Sequence, residues 1–403
     1  MNIYVNLLFS IMLLLVLITF KVINIKKNPD NYRDTLYRKS LIFNTFLYIV
    51  SLAIFVTFLI VNLKTNNVLN SIINALSIAV LALPLSINTL YKTSFTDEEK
   101  YSHINYLITD DYDYKYIKLF NKAGINIIYL NEDSTDKTIT ITELSKYRDK
   151  KNVTVSSNDY KKALKLLPNS YYGSSLKEAY KYIRECRGVH DNYIRTINFN
   201  IAIYAGLLFS VLAFLIQGFP IYYNLFNVLV FKTITYLYSE YTYKHMPYDT
   251  DLMERKPKDK NILLGTQDII ISLIEAFCIC FALSIPYMFI LANVGLLSEV
   301  YTILTVTIIY ISIWLTYSYL SEKIFLINLI ESFNNFKMLF VNIGLIVLTV
   351  IICFLPKAGF MNIGLKNYVS AILASILPII FIEITKLARY TSKKGRKKHV
   401  KNY

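Results

Sequence analysis

The sequence predicts a polytopic α-helical membrane protein with about nine transmembrane helices and a small cytoplasmic α/β domain. Three observations support this fold class. Of the 403 residues, 54% are hydrophobic and 15% are aromatic, and the mean hydropathy is +0.40. About nine apolar windows approach the length that crosses a bilayer. One polar segment, residues 91–195, is long enough to fold as a domain of its own.

The nine apolar windows are interpreted in chain order as transmembrane helices. A bilayer core of about 30 Å needs roughly 20 apolar residues per helix. The predicted spans are residues 3–20, 41–63, 69–90, 196–216, 221–238, 269–291, 297–320, 338–355 and 368–384. The first is expected to be retained rather than cleaved as a signal peptide. No small-residue cleavage site follows it, and Lys21, Lys26 and Lys27 come after the apolar run.

The distribution of basic residues predicts the orientation in the membrane. Lys and Arg total 43 against 28 Asp and Glu, so the formal net charge is +15. With alternating spans, all basic residues except Lys64, Lys232, Lys357 and Lys366 fall on one side. The positive-inside rule makes that side cytoplasmic. We therefore expect a multi-pass protein of the cell membrane with its N-terminus outside and its C-terminus in the cytoplasm.

Composition also argues against several other classes of protein. The basic residues follow the membrane topology, so they do not indicate a surface for nucleic acid. The four cysteines and four histidines are scattered and have no paired spacing for a disulfide framework or a zinc site. We expect no structural metal and no resident cofactor.

The polar segment has an alternating strand and helix pattern. Residues 101–109 have strand character, residues 112–123 are typical of a helix that ends at Gly124, and residues 125–130 form an apolar β-branched run. A helix up to Lys146, a strand around Val153 and helices near residues 160–167 and 175–186 are expected to follow. This pattern favours a small α/β domain.

Motifs between residues 187 and 257 carry a family resemblance. The text RGVHDNYIRTINFNIAIYAGLLFSVLAFLIQGFP is followed by a helix and then by MPYDTDLMERKP. The matching positions are Arg187, Val189, Asn192, Gly206, Gly218, Pro220, Pro247, Asp249, Met253, Arg255 and Pro257. Without a gap, this region resembles the fifth and sixth helices and the following loop of P-type cation-transporting ATPases.

Other segments extend the resemblance. The text SYLSEKIFLINLIESFNNF resembles the family's approach to its ninth helix, and IEITKLARY resembles the end of its last helix. AGINIIYLNED resembles a stretch of the family's phosphorylation domain, and Pro84 resembles the proline that breaks its fourth helix. The resemblance implies N-terminal helices over 1–91, a reduced HAD-like phosphorylation domain over 92–195, a six-helix transport-like bundle over 196–390, and a basic tail over 391–403.

The resemblance would imply an ATP-driven ion pump, but the chain departs from the family at each catalytic step. Residues 21–40 are too short for an actuator domain with its TGE loop. The polar segment has room for only part of the phosphorylation domain and leaves none for a nucleotide-binding domain. The GDGxND hinge motif is missing.

Three aspartates are candidates for the phosphoryl acceptor. Asp136 lies in STDKTITIT, which keeps several residues of the family's DKTGTLT but has Ile139 in place of the glycine. The competing alignment places Asp133 in the family's TGD position. Asp110 follows a predicted strand but lacks the Lys and Thr that come after the family's aspartate. Phosphoryl transfer needs positioned Mg²⁺ and charge-neutralising donors, so an isolated aspartate is not a site.

The resemblance also locates a candidate ion pathway. It places Tyr204, Gly206 and Leu207 where the family's fifth helix has Asn-x-Gly-Glu, and Lys232 and Thr235 in the sixth-helix motif. The carboxylates of a calcium-type site are therefore absent. A charge inside a span costs at least about 2.5 kcal/mol, so Lys232 is expected to face the bundle interior and to have a partner or lose its proton. Glu275 and Glu240 are the candidate partners. A structural pair, a built-in counter-charge and a proton-responsive group all remain open, as does an extension of the Lys232 side chain towards the near end of the span. The proposed pathway residues are Pro84, Tyr204, Gly206, Lys232, Thr235 and Glu275.

These features lead to two hypotheses. The first is a pseudoenzyme that resembles a P-type ATPase, does not hydrolyse ATP by itself, and acts in binding or regulation of a membrane partner, such as an intact pump. The second is an active cation transporter, either part of a split pump or an ion path uncoupled from ATP. Mg²⁺ and ATP are expected only under the second. The lipid bilayer is a partner under both.

Overall fold

The computed structural model describes residues 104–130, 138–139, 153–156, 171–173, 175–217, 231, 234–235, 237–238, 242–243, 246–249, 251–255, 266–292, 297–321, 323–333, 335–354 and 360–400. Contacts divide the chain into two compact units. We call Met1–Thr93, Arg195–Met246 and Leu264–Tyr403 the membrane unit, and Ser94–Ile194 with Pro247–Leu263 the α/β unit.

The α/β unit is built on a five-stranded parallel sheet. Its strands are β1 (Tyr106–Thr109), β2 (Asn126–Leu130), β3 (Thr138–Ile139), β4 (Val153–Ser156) and β5 (Tyr171–Gly173). They lie in the order β3-β2-β1-β4-β5, and every neighbouring pair is parallel. The chain therefore leaves the central strand β1 towards one edge and later crosses to its other side. Such a reversal of strand order is a topological switch point.

Helix α1 (Tyr114–Lys122) connects β1 to β2 and has a well-defined start and end. Asp113 caps the start by accepting a hydrogen bond from the Lys115 amide. At the end, Gly124 has φ +72°, which lets the amide of Ile125 reach the carbonyl of Phe120. The predicted helix is confirmed, but it begins later than Tyr112 because Asp113 is its cap.

Helix α2 (Leu176–Ile216) is continuous, whereas the sequence predicted one helix over 175–186 and a separate span over 196–216. Ser175 starts α2 by accepting a hydrogen bond from the Glu178 amide. No proline lies within it, and Gly188 is tolerated in the helix. The prediction of two separate helices was therefore wrong.

The remaining helices belong to the membrane unit. They are α3 (Thr266–Ala292), α4 (Leu297–Tyr319), α5 (Phe325–Ser332), α6 (Phe336–Phe354), α7 (Gly364–Ser375) and α8 (Leu377–Val400). Among the described residues, five segments are long and apolar enough to cross a membrane: Leu176–Phe214, Asp268–Ile290, Glu299–Tyr319, Phe336–Cys353 and Gly364–Ala388. These confirm a helical, multi-pass membrane protein. Predicted spans 3–20, 41–63 and 69–90 lie outside the described residues, as does most of 221–238.

Helix α4 lies at the centre of the described bundle. Within its most apolar window, 89% of the residues are buried, against 33% in the windows of Phe336–Cys353 and Gly364–Ala388. It packs against α3, α5, α6, α7 and α8. The peripheral helices expose large apolar side chains such as Phe340, Val347 and Leu373, as surfaces that face lipid do.

The last predicted span is interrupted. Residues 368–384 were expected to form one helix, but α7 ends at Ser375 and α8 begins at Leu377, with a turn at Ile376. Pro378 has no amide hydrogen, so it cannot donate to the carbonyl that a continuous helix would offer. At the break, the Ile376 amide donates to the carbonyl three residues earlier, that of Leu373, at 3.2 Å, so the chain makes a tighter turn than in an α-helix.

Candidate functional site

Two of the proposed pathway residues contact each other in the membrane unit. The hydroxyl oxygens of Tyr204 and Thr235 lie 2.5 Å apart, and each residue is only 4% exposed. Tyr204 projects from α2, whereas Thr235 lies in the segment that was predicted as the next span. The resemblance placed both residues on the ion pathway, and the structure joins them by a buried hydrogen bond.

Gly206 allows α2 to approach α3 closely. A Cβ atom at this position would lie 2.7 Å from Cβ and Cγ2 of Ile279, and 3.1 Å from the carbonyl oxygen of Ala276. Cβ atoms essentially never lie within 3.0 Å of a neighbour, so the contact with Ile279 excludes a side chain here unless the helices move apart. Small residues have the same use at other membrane helix interfaces. Gly206 is therefore a packing residue where the two helices meet.

Glu275 lies on α3 beside this contact and is only 2% exposed. It accepts a hydrogen bond from the hydroxyl group of Tyr319, at the end of α4. The ring of Tyr319 in turn lies edge-on to that of Tyr243, with their centroids 6.5 Å apart. Ionisable groups at such depth are costly and often functional. This carboxylate is thus held by a tyrosine of α4, whereas the sequence named only Lys232 as its possible partner.

A second buried pair lies nearby in the membrane unit. The Tyr238 hydroxyl donates to Oδ1 of Asn342 over 2.7 Å, and the Tyr238 ring stacks edge-on against Phe199. Asn342, only 1% exposed, lies within the otherwise apolar helix α6. An amide in the middle of such a helix was a signal that could have identified this position.

Two of the proposed pathway residues, Pro84 and Lys232, lie outside the described residues. The predicted pairing of Lys232 with Glu275 or Glu240 therefore stays a prediction. Around Tyr204 and Glu275, the described membrane helices present hydroxyl groups and one carboxylate. This set of groups can bind a proton or order a small polar network.

In the α/β unit, Asp110 follows β1 at the carboxyl end of the central strand, where the sequence predicted it. The neighbouring Asp111 is held by the backbone. Its amide donates to Thr109 Oγ1 over 3.0 Å, and its carboxylate accepts from the amides of Asp113 and Leu176, at 3.2 and 3.4 Å. The Asp111 carboxylate thus satisfies amides at the starts of α1 and α2, where anions are favoured.

The other two candidate acceptors, Asp133 and Asp136, lie outside the described residues. In the chain, Asp133 follows the end of β2 at Leu130, whereas Asp136 precedes β3, which begins at Thr138. Within the part of the chain that the structure describes, no group of three or more His, Cys, Asp or Glu side chains could hold a metal ion.

The loop after Met246 forms a charged cluster centred on Arg255. Its guanidinium contacts Asp251 through Nε and Nη2, at 3.0 and 2.5 Å, and Asp249 at 2.9 Å. Asp191 of α2 lies 3.4 Å away. Burial acts to lower the pKa of Arg255, but hydrogen bonding to Asp251 and the charges of all three aspartates outweigh it and raise the pKa.

Arg187 and Gly188 attach the same loop to α2. The guanidinium of Arg187 donates to the carbonyl oxygens of Arg255 and Ala123, at 3.0 and 3.2 Å. The ring of Tyr248 lies against Gly188 so closely that a Cβ there would lie 2.2 Å from Cδ1. Arg187, which carried part of the resemblance, and the neighbouring Gly188 are therefore structural in this unit.

The comparisons with known proteins agree with the C-terminal part of the resemblance. Residues 227–388 match the family model described as cation transporting ATPase, C-terminus. A search of curated proteins found no significant match. The chain thus carries a membrane domain of the cation-transporting ATPase C-terminal type over residues 227–388, which includes α3 to α7 and the first half of α8.

Proposed function

We propose that this chain is a P-type-ATPase-like pseudoenzyme, a multi-pass membrane protein that does not hydrolyse ATP by itself and acts by binding or regulating a membrane partner. In this proposal, the nine spans place the N-terminus outside and the α/β unit and C-terminus in the cytoplasm. The α/β unit is then a reduced HAD-like domain. Its doubly wound strand order supports this assignment.

The observation that carries the proposal is the position of the Asp111 carboxylate. Amide groups at helix starts and at the carboxyl end of a central strand form the usual phosphate site in α/β proteins. Here the amides of Leu176 and Asp113 already bind Asp111. Asp110, Asp111 and Asp113 also add three negative charges close to this place, which opposes the binding of a phosphate.

The membrane unit supports the same conclusion. The resemblance assigns two ion-binding positions of the fifth helix to Tyr204 and Leu207. Leu207 is fully buried among apolar side chains. Neither residue supplies a carboxylate. An aspartate in the place of a phosphate, together with a fifth helix that has no carboxylate at these two positions, supports a retained scaffold with a binding role.

The test is formation of an acid-stable phosphoenzyme. The full chain in nanodiscs is incubated with labelled ATP and Mg²⁺, alongside variants in which Asp110, Asp133 or Asp136 is changed to Asn. The proposal expects no label above that of a heat-inactivated sample, and no nucleotide-dependent shift of the melting temperature. Label that one substitution abolishes would overturn the proposal and identify the acceptor.

A second function, active cation transport, is favoured by Glu275. A buried carboxylate with a tyrosine partner is the kind of group that carries a proton or cation across a membrane. The chain would then be part of a split pump that needs Mg²⁺ and ATP, or an ion path that needs neither. Proteoliposomes with an internal pH or cation indicator test this, with Glu275→Gln as the control variant.

A further inference from the structure

The membrane unit contains an apolar groove of about 400 Å³ along α8. Trp314 of α4 and Phe325 of α5 form one wall. The other wall is formed by residues of α8: Ile380, Glu383, Ile384 and Leu387. This volume is in the range of small-ligand sites. An elongated apolar molecule is therefore the kind of occupant that the groove suits.

The groove opens towards the surface that lipid covers. Ile380, Ile384 and Leu387 are 58%, 57% and 53% exposed. They lie in the second half of the candidate span Gly364–Ala388, so the groove belongs to the leaflet at the far end of this span. In a bilayer, exposed apolar side chains at this depth contact acyl chains.

The one charged residue in the lining is neutralised within the protein. Glu383 accepts a hydrogen bond from the Phe325 amide at 3.0 Å and pairs with Lys386 at 3.0 Å. Lys386 also donates to the Ser318 carbonyl at 2.6 Å. The groove thus adds no negative charge that would repel an anionic headgroup.

Positive charge lies on the same helix just beyond the groove. Helix α8 continues to Val400 and carries Lys393, Lys394, Arg396, Lys397 and Lys398. At 1.5 Å per residue, Lys393 lies about 9 Å further along the helix axis than Leu387. A lipid whose chain fills the groove would thus have its headgroup close to this basic segment, residues 393–398.

Helix α5 indicates that the membrane interface lies at this level. It has only eight residues, and Leu326, Ile330 and the following Phe333 are 66%, 69% and 65% exposed. Eight residues are too few to cross a bilayer, so a helix with these exposed apolar side chains fits a place at the boundary of the hydrocarbon core. Phe325, which lines the groove, is the first residue of α5.

We infer that this groove and the basic segment together form a binding site for an anionic phospholipid of the surrounding bilayer. One acyl chain lies in the groove against Trp314, and the positive charge of residues 393–398, which follow on the same helix, attracts the anionic headgroup. Clusters of Lys and Arg that directly follow a transmembrane helix attract anionic lipids. The groove adds a binding place for one acyl chain. The site therefore holds an individual lipid molecule, whereas the basic segment alone would only attract a negatively charged membrane surface.

Trp314 makes this inference directly testable, because it is the single tryptophan of the sequence and lines the groove. The full chain is placed in nanodiscs of phosphatidylcholine that contain a fixed small fraction of lipid brominated on its acyl chains. Bromine quenches tryptophan fluorescence on contact. Brominated phosphatidylglycerol is expected to quench Trp314 at least about twofold more than brominated phosphatidylcholine at the same fraction, because the basic segment enriches the anionic lipid.

Two sets of variants distinguish lipid binding in the groove from general electrostatic attraction. Changing Lys393, Lys394, Lys397 and Lys398 to Gln should remove the preference. The same four changes at Lys115, Lys118, Lys122 and Lys177, all exposed in the α/β unit, should leave it intact. Filling the groove with Ile380→Phe and Ile384→Phe should reduce quenching by both lipids, whereas Val369→Phe and Leu373→Phe on the exposed side of α7 should not.

Two results with the unaltered chain would overturn the inference. Equal quenching by the two brominated lipids would mean that the groove holds ordinary boundary lipid without selection. An absence of quenching by either lipid would mean that another part of the protein covers the groove. A preference that persists after the four changes in the basic segment would also contradict it.

Discussion

The two units stabilise their buried polar groups in different ways, one by ion pairs and the other by neutral hydrogen bonds. In the α/β unit, three carboxylates surround the guanidinium of Arg255, and backbone carbonyls hold Arg187. In the membrane unit, the buried pairs around Tyr204 and Tyr238 are neutral. Burying a charge costs far more in a bilayer than at a protein surface, so hydroxyl and amide groups replace ion pairs there. Among the described residues of the membrane unit, Glu275 is an exception to this rule, and so is the ion pair between Glu383 and Lys386, whose side chains are 18% and 13% exposed.

This difference bears on function. In the α/β unit, Asp111 and Asp113 bind amides at helix starts, and three further aspartates contact Arg255, so these five carboxylates serve the fold. In the membrane unit, the neutral pairs join helices in the same way, whereas Glu275 carries a group that can change its charge. If the comparison is right, substitutions of charged groups should be most costly in the α/β unit, and substitutions of neutral pairs should have small effects.

The largest effect is expected for Arg255→Met. It leaves the carboxylates of Asp191, Asp249 and Asp251 close together without their cation, and the Asp249 side chain is only 7% exposed. Loss of one partner from a buried ion pair costs about 3–5 kcal/mol, and the partial exposure of Arg255 should reduce this to about 2–3 kcal/mol. Hydrogen exchange of residues 246–255 should increase strongly.

Arg255→Lys is the matched control. It keeps the charge but loses the two parallel bonds to Asp251, so it should recover part of the protection. If Arg255→Met exchanged no faster than the unaltered protein, the cluster would behave as an ordinary surface ion pair. The contrast between the two units would then fail.

The next effect is expected for Gly206→Ala at the contact between α2 and α3. The added methyl group would lie 2.7 Å from Ile279, so the helices must separate. Overpacking costs about 1–3 kcal/mol, and the gain in helix propensity offsets up to about 1 kcal/mol of this. Thermal unfolding in detergent should show a lower melting temperature.

Gly344→Ala provides a control for which the opposite change in stability is expected. Gly344 lies in α6 with no atom within 4 Å of an added Cβ, so only the propensity gain remains. This variant should be slightly more stable than the unaltered protein. Two glycine substitutions that lowered the melting temperature equally would show that the close approach at Gly206 does not matter.

A smaller effect is expected for Glu275→Ala. Its removal leaves the Tyr319 hydroxyl without this acceptor, which costs about 1–3 kcal/mol, but it also removes a buried carboxylate that is costly to hold. A net loss of about 1 kcal/mol follows. Glu275→Gln still accepts the hydrogen bond and should melt close to the unaltered protein. If Gln destabilised as much as Ala, the negative charge itself would be needed.

The sequence could predict much of the fold but less of the site. Hydropathy located the described spans, and strands β1, β2 and β4 were expected where they occur. Strand β3 lies where a helix up to Lys146 was predicted, so that prediction was wrong at Thr138–Ile139, and strand β5 was missed. Strands of two or three residues carry no periodic pattern. Pro378 was a local signal for the break at Ile376. The resemblance named Tyr204 and Thr235, but the partners Tyr319 and Asn342 depend on packing between helices far apart in the chain.

The smallest effect is expected for Tyr204→Phe, which removes only the hydroxyl that contacts Thr235. Hydrogen bonds between membrane helices contribute about 0.6 kcal/mol on average, so the melting temperature should change little. The informative measurement is a double-mutant cycle with Thr235→Val, because it isolates the coupling between the two side chains. A coupling near this value would support a neutral structural pair. A coupling well above it, together with altered ion flux in proteoliposomes, would assign the pair to a conducting pathway and would bring the membrane unit closer to the transport function that its family match describes.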